Sequence, residues 1–111
     1  MKNFEALEIA KQLIALLKSL VAKIRASDPA LADQLKDAAT SIVLNLGEGS
    51  RRMGRDRLQH FRIASGSALE SKVALEVAIG WGYVDPTEVE APLALLDRVL
   101  AMTWRLTHPR A

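Results

Sequence analysis

Apolar residues in this chain recur at intervals of three and four, and no run alternates over the length of a strand. That period fits helices and leaves no segment for a sheet. Alanine and leucine, both strong helix formers, number seventeen each among 111 residues. The breaks between periodic runs predict four helices. The first covers about Asn3–Arg25, with Leu7, Ala10, Ile14, Leu17, Val21 and Ile24 as its inward stripe. Ile9, Leu13, Leu16 and Leu20 widen that stripe to about half the circumference, more than two neighbours in a bundle need. Asp28 suits the N-cap of the second helix and Pro29 its first position, where no backbone donor is required. This helix turns Leu31, Leu35, Ala38, Ala39, Ile42 and Leu46 inward and ends between Gly49 and Arg52. A turn at Gly54 and a capping pair of Asp56 and Gln59 open a third helix, from about Arg57 to Gly80, with Gly82 as its stop.

Asp85-Pro86-Thr87-Glu88 repeats the cap-plus-proline device, and Val89, Leu93, Leu96, Val99, Leu100, Thr103 and Leu106 form the last stripe. Pro92 requires a kink or a later start. Short connections between long helices imply antiparallel neighbours. The expected fold is all-α, one antiparallel up-down-up-down four-helix bundle over residues 1–111. Its core is expected to hold Leu17, Val21, Leu35, Ile42, Phe61, Leu75, Leu96 and Leu100. The surplus apolar arc of the first helix and a broad arc on the third predict self-association, closed by cyclic symmetry.

Several functions are set aside by residue type. There is no cysteine for a disulfide, a thiolate metal site or a nucleophile, and His60 and His108 are too few for zinc-site spacings. Gly47-Glu48-Gly49 follows no strand and lacks a third glycine, so it is a helix end and not a nucleotide fingerprint. No catalytic residue, cofactor or metal is expected. The start has no apolar run of signal-peptide type, and Leu13–Ile24 is interrupted by Lys18 and Lys23. A cytoplasmic protein without membrane contact is expected.

The net charge is +2, but the excess is concentrated. Residues 51–62 carry five arginines and one acid, whereas the remaining chain sums to −2. Arg51, Arg52, Arg55 and Arg57 cluster at the turn between helices two and three, where their charge can add against phosphates. The turn has no aromatic residue for base stacking, so binding there is expected to be directed at the backbone. The alternative is a solvated, salt-bridged turn, or one that faces an acidic protein partner. A second feature is a polar flank on helix two, where Gln34, Ser41, Asn45, Glu48 and Arg52 share one side. Glu70 falls within an apolar arc with Ile63, Gly66, Val73, Ala74 and Val77. It is expected to be buried and bonded to that flank, completing a polar network of Ser41, Asn45, Glu48 and Glu70 within or between subunits.

Residues Gln34–Gly49, Phe61–Glu70, Gly82-Tyr83 and the opening Phe4 and Leu7 together resemble the four-helix-bundle family of 23S rRNA intervening-sequence proteins. The resemblance covers nearly the whole chain. It implies a link to ribosomal RNA or another nucleic acid. Through the related accessory variability proteins of diversity-generating retroelements, it also implies a pentameric barrel with a protein partner. Asn45, Glu48, Arg52, Gly66, Ser67 and Glu70 match the family signature. Lys36 and Asp37 stand where paired arginines are usual, Gly47 where alanine is usual, Arg51 where a glycine is frequent and Arg57 where an acid is usual. The last two changes add positive charge at the turn.

Overall fold

The computed structural model describes residues 2–108, with side chains from Glu5 onward, so Phe4 lies outside the described side chains. Four helices make the fold: α1 (Lys2–Ser27), α2 (Pro29–Ser50), α3 (Gly54–Gly80) and α4 (Glu90–Thr107), the last preceded by a 3-10 turn at Pro86–Val89. No strand occurs among the described residues. Around the bundle, α1 packs on α2 and α4, and α3 packs on the same two. Contacts that join neighbouring helices run in opposite directions. Ser41 and Asn45 of α2 meet Ser67 and His60 of α3, and Lys72 of α3 meets Asp97 of α4. The particle measures 45 × 22 × 19 Å, about the length of its longest helix at 1.5 Å per residue.

The start of α2 and the end of α3 are fixed by the chemistry expected of them. Asp28 caps α2 by accepting the Leu31 N–H at 3.0 Å, with Pro29 at the first position. Gly82 adopts φ +77° beyond the end of α3. The Gly82 N–H then bonds the Ile79 carbonyl and the Tyr83 N–H the Ala78 carbonyl, both at 2.9 Å, which satisfies two orphan acceptors. Tyr83 donates its hydroxyl to Asp28 at 3.1 Å, tying this stop to the α1–α2 corner. Pro92 falls in the first turn of α4, where its missing N–H has no partner to lose, so the helix starts later instead of kinking. The start of α3 differs from expectation. The helix begins at Gly54, φ +62°, after Met53, which makes no side-chain cap, and Asp56 is already inside its first turn.

The core contains Leu17, Leu35, Ile42, Phe61, Leu75 and Leu96, all buried, with Val21 and Leu100 half-buried at its edge. On α1 the inward line is Leu13, Leu17, Leu20 and Ile24, rotated from the expected stripe, and Ile14 and Leu16 are exposed. On α3 the inward face is Phe61, Ala64, Ala68, Ser71, Leu75 and Ala78. Alanines let α3 approach its neighbours, and the bulkier Ile63, Leu69, Val73 and Val77 stay outside.

Gly49 marks the tightest approach. A Cβ there would sit 2.7 Å from Cε1 of the fully buried Phe61 ring. Gly49→Ala is therefore expected to cost about 1–3 kcal/mol through overpacking. Urea unfolding measures it, and an unchanged midpoint would show that the ring has room to move.

Candidate nucleic-acid interface

The antiparallel hairpin of α2 and α3 brings all four candidate arginines to one end of the bundle. They are not equivalent. Arg51 is three-quarters exposed and bonds Glu48 Oε1 at 2.8 Å. Arg52 is shared between two carboxylates, with Nη2 3.1 Å from Glu48 Oε2 and Nη1 on Asp56 Oδ2. The two Glu48 pairs have the three- and four-residue spacings of a helix end, whereas the Arg52–Asp56 pair bridges the turn between α2 and α3. Arg57 is half-buried. Its guanidinium lies over the Phe61 ring, 4.9 Å from the centroid, and Nη1 reaches the Gly49 carbonyl at 3.5 Å. Arg55 is exposed and makes no ion pair among the described residues.

Glu48 sits between Arg52 and Arg51, whose hydrogen bonds hold its carboxyl below the usual carboxylate range. Asp56 and Glu48 in turn raise the pKa of Arg52. The corner is thus a charged lattice in which two acids offset part of four arginines. Over residues 48–62, with Arg62 included, the net charge is +3 with His60 neutral. Within the lattice Arg51 is the more exposed of the two arginines paired with Glu48, and Arg55 stands exposed outside it.

Behind the corner, Ser41 and Asn45 take part in the expected polar network, with two further partners. Ser67 donates to Ser41 Oγ at 2.8 Å, and Asn45 Nδ2 donates to the Ser41 carbonyl at 2.9 Å. With that amide group used as donor, Asn45 Oδ1 accepts from His60 Nδ1 at 2.9 Å. His60 Nε2 faces Asp56 Oδ1 at 3.8 Å. A continuous polar line therefore runs from Ser67 through Ser41, Asn45 and His60 to the arginine corner. It fixes the register of α2 against α3 where the arginines emerge.

Glu48 belongs to the corner and not to this line. Glu70 belongs to neither. Contrary to the expected burial, within the chain it is exposed on α3 and makes no hydrogen bond among the described residues. It lines a surface groove with Leu31, Gln34, Leu69, Val73 and Val77. The arc that contains it points away from the bundle because the alanine face of α3 is the one that packs. Reading the sequence alone gave His60 no partner. Its position supplies a signal, since Asn45 and His60 lie nearly equidistant from the Arg52 turn and so at one level of an antiparallel hairpin.

Among the described residues, no group of three histidine, aspartate or glutamate side chains could hold a metal ion. No helix there is long and apolar enough to cross a membrane. The fold closely matches the crystal structure of a protein of unknown function from the S23 ribosomal protein family of Bacteroides thetaiotaomicron. The TM-score is 0.85 at 19% identity, over 96% of this chain and 98% of that one. No curated protein matches the chain. Residues 2–105, from the first turn of α1 to the last of α4, match the 23S rRNA-intervening sequence proteins, and the chain belongs to that family.

Proposed function

We propose that this protein is a non-catalytic cytoplasmic module that assembles with copies of itself and binds RNA through phosphate contacts at the α2–α3 corner. The observation that carries this reading is the exposure of Arg51 and Arg55 at a corner of net charge +3, with Arg62 following Arg55 on the same face of α3. Contacts of this kind supply affinity without reading bases. Filter binding of a structured RNA at two salt concentrations tests it. Affinity must fall steeply as salt rises, because each phosphate neutralised releases counterions. No binding at either concentration would favour a protein adaptor whose arginines face an acidic partner.

Two surfaces support the assembly part. Between α1 and α2 runs an apolar groove of about 670 Å³, lined by Ile14, Val21 and Ala39 and edged by Lys18, Arg25 and Lys36. On α3, exposed Leu69, Val73 and Val77 line the groove that also holds Glu70, with Glu76 beside Val77 in the helix. A basic-edged and an acidic-edged apolar surface on one chain are complementary in charge. Repeated head to tail they generate a ring when the rotation closes, of five copies by the family resemblance. Multi-angle light scattering is expected to return a multiple of 12.1 kDa at micromolar concentration. A 12.1 kDa species would contradict the assembly, and a dimer would contradict the number five.

A further inference from the structure

Near the arginine end, α3 and α4 enclose a third groove, of about 250 Å³, whose lining includes Arg62, Gly66, Leu69, Trp104, Thr107 and His108 and no carboxylate. Trp104 and His108, one turn apart on α4, stack with ring centroids 4.4 Å apart and planes 12° from parallel. His108 is held in that position by Nδ1, which lies 2.9 Å from the Trp104 carbonyl. One face of the indole is thus covered by the imidazole, yet Trp104 remains 59% exposed. Gly66 keeps the opposite wall low: a Cβ there would meet nothing within 4 Å. Arg62 stands at the same groove, makes no ion pair among the described residues, and follows Arg55 by two turns, about 10 Å along α3.

A pre-stacked, solvent-facing aromatic pair accepts a flat ring, and a groove with an arginine and no acid in its lining accepts an anion. A nucleotide has both. We propose that the α3–α4 groove is a base-stacking site for single-stranded nucleic acid: one base lies against Trp104 while the flanking phosphates lie on Arg62 and Arg55. This rests on the phosphate-binding reading above and adds to it a contact that depends on the base. Stacking on an aromatic side chain tolerates any base, so the site adds affinity and a preference for unpaired strands without sequence choice.

The test uses Trp81→Phe, which leaves Trp104 as the one tryptophan, titrated with a short oligouridylate and with an abasic oligomer of equal length and charge. The oligouridylate is expected to quench Trp104 emission saturably. The abasic strand is expected to bind about 5- to 100-fold more weakly and without quenching. Trp104→Ala in the otherwise wild-type chain, read by filter binding, is expected to lower oligouridylate affinity to the abasic level and leave the abasic affinity unchanged. Trp104→Phe is expected to retain most of it. Trp104 is exposed, so circular dichroism of both variants should match wild type. Equal affinity for both strands with no quenching overturns the stacking site while leaving phosphate binding in place. Failure of both strands to bind overturns both. Emission that shifts with protein concentration but not with oligonucleotide assigns the groove to a second copy of the chain and overturns the proposal.

Discussion

Phe61→Ala is expected to remove about 3–5 kcal/mol of stability, the largest effect of any substitution considered. The ring is fully buried in the core and also forms the platform for the arginine corner. Gly49 of α2 packs against its edge, and the Arg57 guanidinium lies over its face. Truncation opens a cavity between α2 and α3 and frees Arg57 from its anchor. Urea unfolding monitored by circular dichroism measures the loss. Phe61→Leu, which fills most of the volume but offers no ring face, should recover much of the stability without restoring the Arg57 contact. A loss below about 1 kcal/mol would place the ring outside the cooperative core.

The second large effect concerns charge. Arg51→Glu/Arg55→Glu should remove two phosphate contacts and reduce the slope of log affinity against log salt by about 1.4 for a single strand. Between 50 and 200 mM salt the wild type should then lose about sevenfold more affinity than the variant. Glu48→Gln should act in the opposite direction. The carboxylate engages both Arg51 and Arg52, so removing its charge releases Arg51 towards the ligand and leaves Arg52 with Asp56 alone. An increase of about two- to fivefold is expected from deleting one unit charge several ångströms from a phosphate. The pair of results matters more than either alone. A corner that exists only as a structural salt-bridge lattice would show no change in RNA binding for either variant.

Much of the fold is legible in the sequence because the signals are local. Asp28-Pro29 opens α2, Gly82 closes α3, and the apolar period assigns four helices without help from distant residues. Which face of a helix turns inward is another matter when too many faces are apolar. On α1 the apolar arc spans half the circumference, and the period alone does not choose Leu13 over Ile14. On α3 the packing face is built mostly from alanine, so the bulky residues around Glu70 look like a core and are not. Legibility of the site fails for a related reason. The partners of Arg51 and Arg52 include Glu48, which lies outside the arginine-rich segment itself, so the segment's charge overstates what the corner presents. His60 and Trp104 stand alone in the sequence. They acquire meaning only from Asn45 on a neighbouring helix and from His108 one turn on, beside a groove that α3 completes.

Amide chemical-shift mapping during titration with single-stranded RNA locates directly where RNA meets this protein. Binding at the arginine end of the bundle predicts salt-sensitive shifts confined to residues 48–57 at the corner, with Arg62 and Trp104 following if the base-stacking site is occupied. Shifts centred on the α1–α2 groove around Val21 and Lys36, or no shifts at concentrations where filter binding saturates, would contradict it.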